Sequence, residues 1–240
     1  MLRFAVIYFN GKKQSINHLS IIPNTAVLEP SVLASLPVYQ RRCTVMDAYC
    51  QAIESWWSIH STEESIQLAR QAVEILTGRL VTYAQHGSDK ALLKAVMEGA
   101  NLAGQAINLT QTTAPHAFSY KLTSLYHLPH GHAVALCLPK IWRYMLSHIN
   151  QCIDPRGQQY LKQVFEDIAK GMGCSNANEA ILRFEELLKV MDLQHPTSAQ
   201  RSEDLALLAS SVNPVRLKNN PVLLGEEGIR EVYEEVVYKS

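Results

Sequence analysis

Residues 45–57 read VMDAYCQAIESWW, a stretch without proline in which apolar residues recur at the i, i+3, i+4 and i+7 spacing of an α-helix with one buried face. Segments with the same spacing follow one another from about residue 42 to the end of the chain. The other main predicted helices cover 63–84, 90–110, 118–128, 132–149, 158–172, 178–191, 202–212 and 226–238. The sequence therefore predicts an all-α protein built as a multi-helix bundle.

The N-terminal segment has a different character. Residues 3–16, RFAVIYFNGKKQSI, are two short β-prone runs around Asn10-Gly11, a dipeptide that tolerates the positive φ angles of a tight hairpin turn. Residues 21–37 contain three prolines and are predicted to be strand and loop segments rather than a long helix. We expect residues 1–40 to form a β-hairpin and linker, and residues 41–240 to form the helical domain. An isolated hairpin is marginally stable, so it should rest on a larger body.

Composition excludes several classes of function. Lysine plus arginine and aspartate plus glutamate number 22 each, so no net charge draws the chain to nucleic acid or to an anionic membrane. The five cysteines are scattered and include no C-x-x-C pair, which argues against a disulfide framework and predicts a reducing compartment. No run approaches the ~18 apolar residues that a membrane helix needs. We expect a soluble, cytoplasmic protein that binds neither nucleic acid nor membrane.

Four polar side chains could meet inside the predicted bundle. Asp47 and Gln51 are four residues apart, so both project from one helix face, and burying them is costly without a partner. His116 follows Pro115 at a predicted helix start, and His130 lies between two predicted helices. Oxygen and nitrogen donors that converge from several helices would suit Fe(II) or Zn(II).

Spacing alone does not establish a metal site. A D-x-x-x-Q pair is common on solvated helix faces, and a single histidine is more often a hydrogen-bonded structural residue than a ligand. The neighbouring His127 is predicted to be a supporting or surface residue, and His132 is predicted to cap the following helix. On these residues alone, a buried hydrogen-bond network is favoured over a metal centre.

Two segments of the chain resemble one known family. Residues 46–57, MDAYCQAIESWW, and residues 114–136, APHAFSYKLTSLYHLPHGHAVAL, are similar to the helical domain of the iron-containing (group III) alcohol dehydrogenases, which carries D-A-x-x-H-A-I-E and then H-x(13)-H-G. Residues 100–120, ANLAGQAINLTQTTAPHAFSY, look closer to the phosphonoacetaldehyde reductase-like branch. The resemblance covers essentially the whole chain and implies the dehydroquinate synthase-like α-domain architecture.

The resemblance implies a set of site residues. In the family an aspartate and three histidines bind the metal, and the matching positions are Asp47, His116, His130 and Gln51, where most members have histidine. Glutamine can offer its carbonyl oxygen but binds borderline metals more weakly than imidazole. A further family histidine near the substrate is Tyr120 here, and its phenol is the expected catalytic group that donates a hydrogen bond or relays a proton.

The chemistry implied by the resemblance is reversible hydride transfer between NAD(H) or NADP(H) and a small aldehyde or alcohol, with phosphonoacetaldehyde as one candidate substrate. A divalent metal, Fe(II) or Zn(II), would act as a Lewis acid on the carbonyl oxygen. An anionic substrate would also need a cationic anchor. Lys121, Arg216 and Lys218 are the candidates.

One part of the family pattern has no counterpart in the sequence. The eleven glycines are dispersed, and no G-x-G-x-x-G motif occurs between a strand and a helix. The hairpin of residues 1–40 therefore resembles the remnant of a dinucleotide-binding domain that is largely missing. We expect the chain alone not to turn over, because it lacks most of the groups that hold the hydride donor. Uncovered hairpin and helix surface favours self-association into a homo-oligomer.

Two other interpretations remain open. The first is a non-catalytic helical protein, a degenerate or truncated relative in which Asp47, Gln51, His116 and His130 form a hydrogen-bond network without metal. The second is a lyase with the same α-domain architecture, as in dehydroquinate synthase-like enzymes, although that family's basic substrate-binding pattern is not evident. Metal content after purification without chelator separates the first interpretation from a metal-dependent oxidoreductase.

Overall fold

A computed structural model describes residues 4–9, 12–87, 89–196, 201–212 and 214–238. These residues form a two-stranded hairpin followed by eleven α-helices, which confirms the predicted all-α bundle with an N-terminal hairpin. The helices are α1 Val38–Trp57, α2 Glu63–Thr77, α3 Leu80–His86, α4 Lys90–Thr110, α5 Ala114–Tyr126, α6 His130–Ser147, α7 Gln158–Gly171, α8 Ala177–Val190, α9 Arg201–Ser211, α10 Pro214–Leu217 and α11 Glu226–Tyr238.

The hairpin consists of β1, Phe4–Phe9, and β2, Lys12–Asn17, which pair antiparallel. The predicted turn at Asn10-Gly11 lies outside the described residues. Between β2 and α1 the chain forms two short 3-10 helices, Leu19–Ile21 and Pro30–Ser35, joined by irregular backbone. The prediction of further strand structure at residues 21–37 is therefore wrong, because short helical turns occupy part of that segment.

Helix α1 is the central element of the bundle, packing against α2, α4 and α6. Its buried face carries Met46, Tyr49, Ile53, Trp56 and Trp57, which are all at most 2% exposed. Burying one large apolar side chain stabilises a fold by about 1.5–3 kcal/mol. The segment that opens the helical pattern in the sequence is therefore also the centre of the core.

The second predicted helix is divided in the structure. Its start agrees with expectation, because Thr62 caps α2 by accepting a hydrogen bond from Ser65 N, and Ser65 Oγ accepts one from Thr62 N. The helix then ends at Thr77, whose hydroxyl donates to the carbonyl oxygen of Val73 at 2.7 Å, a contact that often bends helices. The chain turns at Gly78 and continues as α3. The expectation of one continuous helix over 63–84 is therefore wrong.

Several helices begin earlier than their predicted starts, and the differences at α5 and α6 bear on the polar cluster. Helix α1 begins directly after Pro37, and α5 begins at Ala114, so His116 lies in a first helical turn. His130 is the first residue of α6 rather than a loop residue. The helix-start residues that the sequence singled out therefore lie at the neighbouring N-terminal ends of α5 and α6.

Two further expectations concern disulfide bonds and membrane-spanning segments. All five cysteines, each within the described residues, carry free thiols. Among the described residues, no helix combines the length and the apolar character that crossing a membrane requires.

Candidate metal centre

Three side chains of types that can bind a metal meet where α5 and α6 begin beside α1. The Nε2 atom of His116 lies 3.5 Å from Oδ1 of Asp47, and Nε2 of His130 lies 3.9 Å from the same oxygen. One donor atom from each residue lies within 4.8 Å of the other two. The fold thus brings together one carboxylate and two imidazoles, a donor set that suits a borderline divalent metal. We call Asp47, His116 and His130 the donor cluster.

The close approach of α6 to α1 depends on Gly131. A Cβ atom at this position would overlap the carbonyl oxygen of Cys43 and come within 2.8 Å of the Cβ atom of Asp47. Glycine is therefore required for the first turn of α6 to lie against α1. This contact holds the neighbouring His130 close to Asp47.

Two atoms of the donor cluster lack hydrogen-bond partners among the described residues. Oδ1 of Asp47 and Nε2 of His116 are both buried and unpaired, although they face each other at 3.5 Å. A buried polar atom without a partner costs about 1–3 kcal/mol. Other unpaired buried atoms occur among the described residues, but these two converge on one point beside a third donor. A divalent cation at that point would satisfy both, so the residues present fit a metal ion.

The electrostatics of the donor cluster also favour a cation. Burial alone raises the pKa of the Asp47 carboxyl, but the contact with His116 and the charges of His116 and His130 outweigh it and hold that pKa below its usual value. Burial likewise lowers the pKa of His116, whereas the carboxylates of Glu54 and Asp47 outweigh it and raise that pKa. When the two histidines are neutral, as metal binding requires, the carboxylates of Asp47 and Glu54 leave a net negative charge that a divalent cation would neutralise.

Gln51 lies beside the donor cluster, one helical turn after Asp47. Its amide Nε2 donates a hydrogen bond to Oδ2 of Asp47 at 3.0 Å. The two carboxylate oxygens of Asp47 are thus divided, since Oδ2 contacts Gln51 and Oδ1 faces the histidines. The amide nitrogen of glutamine has no free electron pair for a metal. In this arrangement Gln51 contacts the cluster as a hydrogen-bond donor.

Glu54 is a site residue that sequence reasoning did not assign. It is fully buried, and its Oε1 accepts a hydrogen bond from Nδ1 of His116. Its Oε2 accepts hydrogen bonds from the backbone N and the Oγ1 of Thr113, at 2.7 and 2.9 Å. A signal was available, because a residue seven positions after Asp47 projects from the same helix face. The four-residue spacing from Asp47 to Gln51 does not by itself point to Glu54.

Tyr120 lies at the more open side of the donor cluster. Its ring is parallel to that of His130, with 5.8 Å between the ring centroids and 6° between the planes. The side chain of His130 is 39% exposed, whereas that of His116 is only 5% exposed. The predicted catalytic tyrosine is therefore next to the more exposed histidine of the donor cluster.

The three predicted substrate cations are less closely tied to the cluster. Lys121 is half-buried on α5, next to Tyr120, and Lys218 is exposed in the turn after α10. Arg216 belongs to α10, which packs against α5, but its side chain lies outside the described ones. Among the described side chains, neither Lys121 nor Lys218 forms an ion pair with Asp47.

The other two histidines of residues 114–136, His127 and His132, have separate roles. His127 is exposed and ends α5 in a left-handed conformation with φ 55°. His132 is buried, and its Nε2 donates to the carbonyl oxygen of Gln194 at 2.9 Å, so its Nδ1 accepts from the Tyr39 hydroxyl at 2.8 Å. The expectation that His132 caps a helix is wrong, because both ring nitrogens tie α6 to distant segments.

Comparison with known proteins identifies relatives across nearly the whole chain. Residues 42–237 match the family described as "Fe-containing alcohol dehydrogenase family, C-terminal". The chain is 34% identical over 227 residues to phosphonoacetaldehyde reductase from Streptomyces viridochromogenes, covering 93% of this chain and 56% of that protein. It is 27% identical over 242 residues to 1-propanol dehydrogenase PduQ from Salmonella typhimurium, covering 95% and 63% respectively. The chain thus spans less than two thirds of the length of these relatives.

Solved structures share the fold. An iron-containing alcohol dehydrogenase from Thermococcus thioreducens superposes with a TM-score of 0.88 at 21% identity, covering 100% of this chain and 61% of that one. A sulfoacetaldehyde reductase from Bifidobacterium kashiwanohense in complex with NAD+ gives a TM-score of 0.86 at 24% identity, with coverage of 100% and 61%. The family match over residues 42–237 and the helical fold agree, and the chain belongs to the iron-containing alcohol dehydrogenase family.

Proposed function

We propose that this chain forms the metal-binding and substrate-binding helical part of an NAD(P)-dependent alcohol dehydrogenase or aldehyde reductase. Asp47, His116 and His130 are the proposed ligands of an Fe(II) or Zn(II) ion. The observation that carries the proposal is the pair of buried, unpaired atoms, Asp47 Oδ1 and His116 Nε2, which face each other beside His130. Membership in the iron-containing alcohol dehydrogenase family supports the same assignment.

Each residue has a proposed task in the reaction. A divalent cation bound by the donor cluster would supply Lewis-acid polarisation of a substrate carbonyl. His130 is the more exposed of the two histidines, so the substrate would approach on its side. Tyr120, stacked on His130, is proposed to donate a hydrogen bond or a proton to the substrate oxygen. The buried face of α1 excludes water from the opposite side.

Gln51 is proposed to be a hydrogen-bond partner of Asp47 rather than a fourth ligand. Its amide nitrogen already donates to Oδ2 of Asp47, which leaves Oδ1 to face the two histidines. Three protein ligands with one open position are typical of catalytic zinc sites. The replacement of the usual family histidine therefore favours Zn(II) over a metal that needs more protein ligands.

The substrate is proposed to be a small aldehyde with an anionic group. Phosphonoacetaldehyde reductase and sulfoacetaldehyde reductase are named for substrates of this kind, and both are similar to this chain. Lys121, Arg216 and Lys218 are the proposed anchors for such a group. The nicotinamide cofactor is proposed by similarity to the relative solved with NAD+. Because the sequence has no glycine-rich phosphate turn, most dinucleotide contacts are proposed to come from groups outside it.

Metal analysis tests the proposal directly. The protein is purified without chelator, reloaded with Zn(II) or Fe(II), and analysed by plasma mass spectrometry beside Asp47→Ala and His130→Ala. One equivalent of metal in the wild type, lost in both variants, is the expected result. A wild-type protein that takes up no metal would instead support a non-catalytic helical protein with a hydrogen-bond network. Calorimetry with NADH tests the cofactor proposal. Micromolar binding by this chain alone would contradict the proposal that most dinucleotide contacts come from groups outside it.

A further inference from the structure

We propose that Glu54 is a positioning residue that fixes the tautomer and the orientation of His116 toward the metal. The inference rests on the proposed metal site and adds to it a residue that touches neither metal nor substrate. Glu54 lies on the same face of α1 as Asp47, two helical turns further along. His116 is therefore held between two carboxylates of one helix, with Glu54 on Nδ1 and Asp47 on the side of Nε2.

The carboxylate of Glu54 is itself rigidly held. Its side chain is 0% exposed, so water cannot replace a missing partner. Oε2 receives two hydrogen bonds from Thr113, and Oγ1 of Thr113 in turn accepts one from Trp57 Nε1 at 2.9 Å. Oε1 is thereby directed at Nδ1 of His116. A buried carboxylate is costly unless its oxygens are paired, and here both oxygens have partners.

This contact decides which nitrogen of His116 can bind a metal. A carboxylate only accepts hydrogen bonds, so Nδ1 must carry the proton. In the neutral ring the free electron pair then lies on Nε2, the atom that faces Asp47 without a partner. Metal-bound histidines commonly donate their other N–H to a carboxylate, which fixes the ring and raises its basicity. The geometry around Glu54 has this form.

The test compares Glu54→Gln with Thr113→Val. In Glu54→Gln the side chain keeps its size, but its amide cannot accept from His116 and from Thr113 at the same time. Thr113→Val removes two buried hydrogen bonds and leaves the contact between Glu54 and His116 intact. Zn(II) affinity is measured by competition with a chromophoric chelator, and stability by thermal unfolding of the metal-free proteins.

We expect Glu54→Gln to weaken Zn(II) binding about 10-fold to 100-fold, whereas Thr113→Val lowers the melting temperature and changes the affinity far less. Equal losses of affinity in both variants, or none in Glu54→Gln, would show a purely structural role. A wild-type protein without Zn(II) binding would reject the metal site itself, so the two failures are distinguishable.

A second measurement does not depend on how the variants fold. In the Zn(II)-loaded, ¹⁵N-labelled wild-type protein, NMR correlations within the imidazole ring identify the nitrogen that carries the proton. A proton on Nδ1 of His116 is expected. Zinc bound through Nδ1, or a proton on Nε2, overturns the inference.

Discussion

The donor cluster and the cluster around Arg156 are both polar and partly buried, but they differ in how completely their atoms are paired. The guanidinium of Arg156 donates to both oxygens of Asp154, at 2.9 and 2.7 Å. It also donates to Ser58, Ser61 and Tyr160, and it lies 4.2 Å from the ring centroid of Tyr160. In the donor cluster, Asp47 Oδ1 and His116 Nε2 have no hydrogen-bond partner among the described residues.

The difference separates a structural role from a binding role. A closed network such as that of Arg156 ties the end of α1 to the start of α7 and needs no ligand. An open cluster retains unpaired buried atoms, which a protein tolerates where a ligand completes them. Mutations in the two clusters should therefore affect different properties, namely stability in the first and metal binding in the second.

The largest expected effect comes from Gly131→Ala, which would pull the donor cluster apart. The added methyl group overlaps the carbonyl oxygen of Cys43, so α6 must move away from α1 and take His130 with it. We expect a loss of about 3 kcal/mol in the free energy of unfolding and loss of bound metal. Thermal unfolding and metal analysis provide the measurements.

The matched control for this substitution is Gly78→Ala. Gly78 has φ −78°, and a Cβ atom there meets nothing within 4 Å. This variant should be as stable as the wild type, or about 0.4–1 kcal/mol more stable. A Gly131→Ala protein with wild-type melting temperature and metal content would show that the close approach of the two helices is not required.

The next largest effects are opposite in kind: Asp154→Ala should lower stability, whereas Asp47→Ala should remove metal binding. Asp154→Ala leaves a partly buried guanidinium without its carboxylate and should cost about 1–3 kcal/mol of stability while metal binding persists. Asp47→Ala should change the stability of the metal-free protein by less than about 1 kcal/mol, because loss of the hydrogen bond from Gln51 is offset by removal of the unpaired Oδ1. Urea unfolding measures both values.

Zinc should then stabilise only proteins with an intact donor cluster. At a Zn(II) concentration of about 100 times Kd, binding adds about 2.7 kcal/mol to the stability of the wild type and of Asp154→Ala. Asp47→Ala should gain nothing measurable. Equal zinc stabilisation in all three proteins would contradict the distinction between the open and closed clusters.

A smaller effect on Zn(II) affinity is expected from Gln51→Ala, at the edge of the donor cluster. Loss of the hydrogen bond to Asp47 Oδ2 should weaken Zn(II) binding about 10-fold, because the ligand carboxylate is less firmly held. Gln71→Ala, an exposed glutamine on α2, is the control and should bind zinc as the wild type does. A crystal structure with zinc at about 2.0–2.2 Å from Gln51 Oε1 would instead make the residue a ligand.

The smallest effect concerns a surface cluster, in which Glu185 accepts hydrogen bonds from Lys140 and Arg143. Burial alone raises the pKa of Glu185, but the hydrogen bonds from Arg143 and Lys140 outweigh it and hold that pKa below its usual value. Because the folded pKa is lowered, this stabilisation is present above the unfolded pKa of about 4.3 and is lost as the pH falls through the folded value.

Glu185→Gln should therefore cost less than about 1 kcal/mol at neutral pH, since Arg143 is well exposed and the pair is screened by water. The difference from the wild type should shrink as the pH falls below about 4. Urea unfolding at several pH values measures it. A difference that stays constant from neutral to acidic pH would assign the effect to packing rather than charge.

The positions of many helices were predictable from the sequence, because helices form through interactions between residues a few positions apart. The apolar spacing of residues 45–57 and 90–110 identifies helices without knowledge of the fold, and α4 has the predicted bounds. The N-cap at Thr62 was predictable for the same reason. The break at Gly78 was not, because a single glycine within a periodic segment does not show whether the helix continues.

The candidate site was predictable only in part. The family pattern singled out Asp47, His116 and His130, and the structure brings them together. Their assignment as metal ligands remains a proposal. The role of Glu54 was missed, since its partner His116 is 62 residues away in the sequence. Periodicity shows that Glu54 shares a face with Asp47, but it does not show what packs against that face.

By itself, the sequence determined the all-α class, the central amphipathic helix and the three residue types that could hold a metal. These follow from interactions between residues a few positions apart and from side-chain chemistry. Only the tertiary structure decided which polar atoms are paired. Gln51 Nε2 donates to Asp47, and Glu54 accepts from His116. Asp47 Oδ1 and His116 Nε2 have no hydrogen-bond partner among the described residues. Hydrogen bonding in a buried site depends on the positions of atoms from separate helices, and those positions are set by packing across the whole core.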